Sequence, residues 1–595
     1  MKNKKSQSIE YEKKRKLTKL NKDTNLGNGK VWTNRMKEII LPKVLPKNQY
    51  NCQKDINIIS EIVALRDINH ELLEGNDGKE KDGTILSIDF SNAFRSTSLR
   101  WFNLVMKQLN IPEEFINWFW AMYNNLKVKI KINEGLSNSI KIEKGFMEGH
   151  PPSMAAFVTQ IIPLFSALEK VLDGIKIRNQ TERLKGFADN VKVIIRRPEE
   201  IGLCYKIISR FEEISGLRMH RDPLREKCQA LPFGSHREYK HWPVWVTVKN
   251  RIKIVGIWFT NERNKLEEVN TTLVEQNFYM TLNEASGMRG TLQQKVHYVN
   301  TYLFSKLWYV AQVFKMDNKK MTNLLKAALN FIYSGENERP VRSLNFREKE
   351  RGGLGLVDPE IKAKALLGRN MYQQWLQDKR KVEDIYGDTN ILERLIIINE
   401  EDITTKQIYK ILIKERIEKN GSLIQSRNEK RQVGIRWRHV WKNLRNTNGI
   451  NAAEKDFAWK LTQDMLPIGK RIHRINVEKR CLNKIREGLC EEVPDIMHKL
   501  YNCQSVVFSA RATKLVLEEF MDKKIEDREL LTLSFRHRTN EINQVAVWFA
   551  IRALFEIFNG LGFNKAQMFT KLYKELDWNI GMGKKIGSFP EMARM

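Results

Sequence analysis

Two aspartates lie where strand-like segments end or turn, and carboxylates in such positions can hold catalytic metal ions. Asp89 follows the apolar run of ILSIDFSNAF, and Asp189 interrupts the apolar runs of LKGFADNVKVII. The first pattern predicts a buried strand over 84–88, and the second predicts a strand, a turn that carries Asp189, and another strand. Adjacent strands of one sheet would bring both carboxylates to a shared pair of Mg²⁺ ions, as two-metal phosphoryl transfer requires. A single aspartate at a strand end is usually an ordinary surface residue, so the rest of the chain must decide.

The charge of the chain indicates a polyanionic partner. The 595 residues include 102 Lys+Arg and 71 Asp+Glu, which gives a net charge of +31. Such an excess binds nucleic acid by releasing its counterions, or less simply an anionic membrane surface. No run approaches the roughly 18 apolar residues of a membrane span, so we expect no membrane partner. Six cysteines in this length are typical of an intracellular, reducing compartment, and the basic N-terminus favours the nucleus.

The elements that must position the aspartates belong to an α+β region. Short strand-like runs alternate with amphipathic helical runs up to about residue 260, and helical periodicity dominates afterwards. Residues 1–36 predict a basic, poorly ordered arm. RGGLGL at 351–356 lacks the Lys-Ser/Thr of a phosphate-binding loop and predicts a tight turn between helices. VAVWFAIRALFEIF near residue 550 is interrupted by charges and predicts a buried helix.

From about residue 38 to about 560 the chain resembles the reverse transcriptases of LINE-type (non-LTR) retrotransposons. The block before the first aspartate includes Gln49 after a Leu-Pro, and six later blocks follow in the order of the family. These blocks are DFSNAF (motif A), GFMEGHPPSMAAFVTQIIPL (B), FADN (C), SGLRMHRDPLREKCQALPFG (D), IKIVGIWF (E) and ERGGLGLVDPEIKAKAL, which is similar to the thumb-proximal glycine segment.

The resemblance implies a right-hand polymerase fold and an RNA-directed DNA polymerase that extends a primer 3′ end. Its expected partners are an RNA template, a DNA primer or target and deoxynucleoside triphosphates, and its cofactor is Mg²⁺ or Mn²⁺. The implied divisions are fingers and palm at 37–260, a helical thumb at 261–370, a helical connection at 371–450 and a basic C-terminal module at 451–595.

The resemblance also implies roles for individual residues. Asp89 and Asp189 would be the metal ligands, and Phe94 would exclude a 2′-hydroxyl from the nucleotide site. Gly149 would let the backbone of motif B approach the template and primer closely. Lys227 matches a motif D lysine that is proposed to protonate the leaving pyrophosphate, although an ordinary solvated lysine is an equal alternative.

Three residues depart from the family pattern. Motif C usually ends in two aspartates, but the second position here is Asn190, which keeps an oxygen and loses the charge. Glu148 replaces a neutral glutamine where a nucleotide would bind, and a carboxylate about 4 Å from a phosphate costs on the order of 1–4 kcal/mol, depending on screening. Arg95 stands where an acidic residue often follows motif A.

Two interpretations of these departures stay open. In the first, the chain is an active polymerase with an unusual site, in which the charge lost at Asn190 is offset by the charge gained at Glu148. In the second, the chain is a catalytically weakened or inactive reverse-transcriptase-like protein that binds RNA or DNA or acts as a scaffold. The retention of Asp89 and Asp189 favours the first interpretation.

A cluster of thiol and imidazole side chains near residue 490 predicts a structural zinc site. Cys481, Cys490, His498 and Cys503 have the spacing C-x8-C-x7-H-x4-C and are the ligand types of a closed tetrahedral Zn²⁺ site. The family commonly carries a zinc knuckle here, with a first gap shorter than this one. Buried cysteines without a metal are the alternative.

Two basic segments lie near the cysteines, one upstream of Cys481 and one that runs from Cys481 to Cys490, and the upstream segment supplies the aromatic residues. GIRWRHVWKNLRN and KRCLNKIREGLC interleave Lys and Arg with Trp and His, a combination that can neutralise phosphates and stack bases. This pattern indicates a contact with template RNA. An equally good interpretation is that Trp437 and Trp441, one helical turn apart, face a helical core.

Overall fold

A computed structural model divides the chain into two compact units, Met1–Thr272 and Leu273–Met595. The structure describes residues 23–560, and residues 567 and 570 beyond them, apart from gaps at 54–55, 76–77, 125, 134, 178–179, 336–341, 378–389, 399–402, 420–433, 467, 469–483, 486–487, 491 and 493–494.

Within its described residues, the first unit is built on a five-stranded sheet with β1 at its centre. The strand order is β11-β10-β1-β9-β8, and β1 is antiparallel to both β9 and β10. The strands of this sheet are β1 (Gly83–Ile88), β8 (Leu184–Phe187), β9 (Asn190–Ile195), β10 (Gln229–Phe233) and β11 (Thr247–Val248). Shorter pairs are β2 (Lys127–Val128) with β5 (Ile140–Lys141), β3 (Lys131–Ile132) with β4 (Gly135–Leu136), β6 (Ile175–Ile177) with β7 (Gln180–Glu182), and β12 (Arg251–Ile254) with β13 (Ile257–Thr260).

Helices bury both faces of the sheet. The helices of this unit are α1 (Asp23–Arg35), α2 (Leu41–Val44), α3 (Ile58–Glu74), α4 (Ala93–Ser96), α5 (Leu99–Gln108), α6 (Glu113–Tyr123), α7 (Pro151–Val171) and α8 (Glu200–Ser215), with single turns at Met36–Ile40, Pro223–Arg225 and Gly234–Glu238. Leu86 and Ile88 of β1 lie in the same apolar core as Phe157 of α7 and Ile208 of α8. Residues on both faces of β1 are buried, which explains why the strand contains no charged residue.

Helix α7 is the longest helix of the first unit. Pro151 and Pro152 begin it. Proline is tolerated in this first turn because the backbone N–H that it lacks would have no partner within the helix. Among the described residues, α7 alone is long and apolar enough to cross a membrane. Most of it is buried in the core around β1, where an apolar helix is expected.

The N-terminal segment differs from the prediction of a poorly ordered arm over 1–36. Residues 23–35 form α1, and residues 1–22 lie outside the described part of the chain. The reason is Trp32, which is 0% exposed and stacks on Phe115 with ring centroids 5.0 Å apart. One large buried aromatic side chain therefore ties a basic segment to the core.

The second unit is mainly helical over its described residues. Helix α9 (Leu266–Glu284) begins in the first unit; the later helices are α10 (Leu292–Tyr298), α11 (Ser305–Ala311), α12 (Asn318–Ile332), α13 (Arg342–Phe346), α14 (Pro359–Gln377), α15 (Asn390–Ile398), α16 (Thr405–Lys419), α17 (Trp437–Asn446), α18 (Ala452–Thr462), α19 (Val507–Met521), α20 (Asp527–Thr532) and α21 (Asn540–Phe558). Short turns lie at Val299–Leu303, Lys349–Arg351 and His498–Asn502, and β14 (Lys484–Ile485) pairs with β15 (Gly488–Leu489).

The sequence-based expectation of a mixed helix and strand architecture is confirmed. The predicted buried helix near residue 550 is α21, whose apolar side chains form much of the core around Trp548. The predicted turn at RGGLGL lies between α13 and α14. Gly352 has φ +79, and a Cβ there would lie 2.4 Å from the ring of Trp441, so both the backbone conformation and the packing require glycine.

Candidate active site

The two aspartates lie at the same end of neighbouring strands. Asp89 directly follows β1, and Ile88 of that strand is opposite Val191 of β9. Asp189 lies in the two-residue turn between β8 and β9, where Phe187 pairs with Asn190. The antiparallel register therefore brings the carboxylate-bearing end of β1 beside the hairpin turn, as the strand patterns predict.

The electrostatics of the pair suit a divalent cation. Burial raises the pKa of Asp189, and the negative charge of Asp89 raises it further. Two carboxylates that repel each other in a partly desolvated place are stabilised by a hard cation with oxygen ligands. Asp89, Asp189 and the amide oxygen of Asn190 are the donor types that Mg²⁺ or Mn²⁺ takes, so the residues fit such an ion.

Two basic side chains lie against Asp89. The Lys227 Nζ atom is 3.7 Å from Asp89 Oδ2, and the His220 Nε2 atom is 4.0 Å from the same oxygen. The His220 backbone N–H also donates to the Asp89 carbonyl over 3.0 Å, which aligns the motif D segment with the end of β1. The Lys227 side chain is about half-exposed.

A buried ion pair lies behind the turn. Lys192 of β9 and Glu61 of α3 are 1% and 0% exposed, and Lys192 Nζ lies 3.2 Å from Glu61 Oε1. Lys192 Nζ also donates to the Asn190 carbonyl over 3.1 Å. Burial raises the pKa of Asp189, and the positive charge of Lys192 lowers it by a smaller amount. Burial lowers the pKa of Lys192 and raises that of Glu61, and their mutual attraction opposes both shifts. The strand that follows the Asp189 turn therefore carries a buried acid–base pair.

Phe94 is held in place by an aromatic contact. It lies on α4, and its ring stacks on Phe157 of α7 with centroids 4.6 Å apart and 14° between the planes. Its carbonyl accepts from the Phe146 N–H over 2.7 Å. The half-buried ring is thus fixed between the segment after Asp89 and the helix of motif B.

Motif B presents an open glycine and a paired glutamate. Gly149 has φ +81, and a Cβ at this position would meet no heavy atom within 4 Å. The backbone conformation therefore requires glycine, while the space in front of it is free. The neighbouring Glu148 accepts from Arg95 Nε over 3.0 Å, and both side chains are more than half-exposed.

Three of the four predicted zinc ligands converge in the second unit. Within the described part of the chain, one ligand atom from each of Cys490, His498 and Cys503 lies within 4.8 Å of the others. His498 Nε2 lies 3.4 Å from Cys490 Sγ, and its Nδ1 lies 2.7 Å from Glu492 Oε2. A carboxylate on the far nitrogen is the arrangement that orients a metal-binding histidine. Cys481 lies outside the described residues.

The two tryptophans of the basic segment have different surroundings. Trp437 and Trp441 stack with centroids 5.5 Å apart, and Trp441 is 3% exposed beneath the glycine turn. Trp437 is half-buried and lines a cleft of about 490 Å³. The other lining residues are Arg347, Glu348, Glu350, Arg351, Arg438 and Trp441. Trp441 therefore fits the structural alternative, and Trp437 faces a cleft.

Comparison with known proteins gives a transposon relative. The chain is similar in sequence to a transposon protein. That relative is the uncharacterized 149 kDa protein of transposon TX1 from Xenopus laevis, which is 20% identical over 332 residues. The match covers 54% of this chain and spans 24% of the length of the relative. No family model matches the chain. The sequence comparison therefore shows similarity to part of a transposon protein.

A solved structure of telomerase from Candida albicans, in complex with the TWJ fragment of telomeric RNA, gives a weaker comparison. It covers 56% of each chain with a TM-score of 0.31 and 10% identity. A similarity at that level does not establish a shared fold.

Sequence reasoning missed His220 and the Lys192–Glu61 pair. His220 carried no signal, because a single histidine in a basic segment is common. Lys192 did carry one: it lies between valines in NVKVII, and a lysine inside an otherwise buried strand requires a buried partner.

Proposed function

We propose that the chain is an RNA-directed DNA polymerase of non-LTR retrotransposon type that extends a primer 3′ end. The observation that carries the proposal is the meeting of Asp89 and Asp189 at one end of β1 and β9, with Lys227 3.7 Å from Asp89. The similarity to a transposon protein supports the same class. Residues 37–260 would form fingers and palm, and 261–370 a thumb.

The reaction would be attack of the primer 3′-hydroxyl on the α-phosphate of a deoxynucleoside triphosphate, with release of pyrophosphate. Bound Mg²⁺ would lower the pKa of the hydroxyl and neutralise the phosphates. Asp89 and Asp189 would hold the ions, and Asn190 would add a neutral oxygen. Lys227, once released from Asp89, would donate a proton to the leaving pyrophosphate. The fixed ring of Phe94 would leave no room for a 2′-hydroxyl.

The template would also contact the second unit. Trp437 offers an aromatic face in a cleft with Arg351 and Arg438, which are exposed. Burial lowers the pKa of His439, and the nearby positive charges of Lys442, Arg536 and Arg436 lower it further. The surface around α17 is therefore basic. An aromatic face beside such charges suits an unpaired nucleotide of RNA. A nuclear location is part of this proposal, because the basic N-terminus favours it.

Zinc would support the second unit as a structural ion. Cys490, His498 and Cys503 supply three ligands of the required types, and Cys481 is the proposed fourth. Such a site would connect the segment before α19 to the core of the unit.

The experiment that tests the proposal is incorporation of deoxynucleotides on a primed RNA template, compared with Asp189→Ala. We expect incorporation by the native chain only. Equal incorporation by both would exclude the enzyme.

The second candidate is a catalytically weakened or inactive protein that binds RNA or DNA or acts as a scaffold. The observation that favours it is the neutral Asn190, since a site with fewer carboxylates holds a divalent cation less tightly. Asn190→Asp distinguishes the two. If the native site is weakened, the substitution raises incorporation at limiting Mg²⁺; if the native site is fully active, it does not.

A further inference from the structure

Gln49 lies in an extended segment that runs beside the hairpin of Asp189. The Gly186 N–H donates to the Asn48 carbonyl over 2.9 Å, and the Tyr50 N–H donates to the Gly186 carbonyl over 2.8 Å. Gln49 and Gly186 form a parallel bridge. The segment therefore extends the edge of the sheet at β8, next to the catalytic turn.

The side chain of Gln49 bonds to both backbone groups of Ala188. Its Oε1 accepts from the Ala188 N–H over 3.0 Å, and its Nε2 donates to the Ala188 carbonyl over 3.3 Å. Oε1 also accepts from the Asn51 N–H over 3.1 Å. The side chain is 0% exposed, so these bonds have no competition from water.

Ala188 needs such support because its backbone conformation is rare. It has φ +56, in the left-handed region that residues with a Cβ seldom adopt. Conformations of this kind persist where surrounding contacts enforce them, and they cluster at functional sites. The strained residue immediately precedes Asp189, so a rotation of its peptide planes would redirect the carboxylate.

We infer that Gln49 is a positioning residue, which fixes the turn of Ala188 so that the Asp189 carboxylate points to the metal site. This inference rests on the proposed polymerase function for its catalytic consequence. Its structural part, the fixing of the turn, stands independently. A glutamine amide suits the task because it offers a donor and an acceptor together, as a peptide group does.

The test compares Gln49→Met with Gln53→Met in the full-length chain. Methionine keeps the length of the side chain and removes the amide in both variants. Gln53 lies in the same segment, but its Nε2 donates to the carbonyls of Pro46 and Gln49 and makes no bond to the turn. Gln49→Asn, whose amide is too short to reach Ala188, replaces Gln49→Met if the latter does not fold.

Hydrogen exchange of the peptide that contains Ala188 measures how well the turn is protected, and it does not depend on enzymatic activity. We expect exchange about fivefold to tenfold faster in Gln49→Met, as loss of a buried hydrogen bond implies, and no change in Gln53→Met. Equal exchange in the native chain and Gln49→Met would overturn the inference, whether or not the protein is a polymerase.

Primer extension then measures how the loss of the Gln49 amide affects the role of Asp189 in catalysis. With an active native chain, Gln49→Met lowers kcat by about tenfold or more, because small misplacements of reacting groups are that costly. It also raises the Mg²⁺ concentration for half-maximal rate, with the KM for nucleotide unchanged. A rise in KM alone, or equal effects in Gln53→Met, would contradict a positioning role. An inactive native chain with faster exchange in Gln49→Met would reject the proposed function and retain the fixed turn.

Discussion

Arg95 Nε lies 3.0 Å from Glu148 Oε1, so two charged departures from the family pattern neutralise each other. One follows motif A and the other belongs to motif B. Exposed pairs of this kind contribute only about 0–1 kcal/mol to stability. Under the proposed function, the contact would matter less for folding than for the charge that an incoming triphosphate meets.

The pair predicts a non-additive effect on nucleotide binding. Arg95→Ala leaves Glu148 uncompensated, and we expect the KM for deoxynucleotide to rise about fivefold, on the order of 1 kcal/mol of repulsion. Glu148→Gln should change KM little, and the double substitution should resemble Glu148→Gln. A double-mutant cycle of primer extension measures this coupling. Additive effects of the two substitutions would show that Glu148 does not approach the nucleotide.

The raised pKa of Asp189 predicts a gain of stability on neutralisation. Folding raises this pKa, so the folded state disfavours the ionised carboxylate. The free energy of unfolding therefore falls as pH rises from the ordinary aspartate pKa through the raised one. Without metal at pH 7, Asp189→Asn should be more stable than the native chain by about 0.5–2 kcal/mol.

The difference should vanish at pH values below the ordinary aspartate pKa, where the carboxyl is protonated in both states. Denaturant unfolding in EDTA at several pH values measures it. The matched control is Asp173→Asn, since Asp173 is exposed and lies 2.7 Å from Arg197. A destabilised Asp189→Asn at pH 7 would contradict the assigned sign.

The cysteine cluster predicts bound zinc. Purified protein should contain about one Zn²⁺ per chain, and Cys503→Ser should lower that content and the thermal midpoint, because structural zinc contributes directly to folding. Cys52→Ser is the control, since Cys52 lies in the first unit. Equal zinc content in native protein and Cys503→Ser would reject the site.

The cleft of Trp437 predicts a stacking contact with single-stranded RNA. Trp437→Ala should weaken binding of an unstructured RNA about fivefold or more, and Trp437→Phe much less, because stacking is worth about 1–3 kcal/mol per base. Arg438→Ala should reduce the dependence of log Kd on log salt by about one, as loss of one phosphate contact does.

Anisotropy titrations across salt concentrations measure both effects, with Arg394→Ala as the control, since Arg394 pairs with Glu415. Unchanged affinity in Trp437→Ala would assign that tryptophan to packing alone.

The sequence predicts the local elements of the site better than its contacts. Alternating and apolar runs are sufficient to locate β1 and the hairpin of Asp189, because burial on both faces leaves a clear pattern. The contact between Arg95 and Glu148 joins residues far apart in the chain, and each alone looks like an exposed charge. The bonds of Gln49 to Ala188 also depend on tertiary structure, because a buried amide and a strained alanine have no periodic signature.

The most direct measurement is primer extension on an RNA template by the native chain, Asp89→Asn, Asp189→Asn and Asp173→Asn, in Mg²⁺ and in Mn²⁺. We expect extension at similar rates by the native chain and Asp173→Asn. We expect a loss of about 100-fold or more in each of the other two variants, because each removes a charged ligand from the metal site. Extension by Asp89→Asn or Asp189→Asn at the native rate, or no extension by the native chain, would show that the two aspartates do not form a polymerase site.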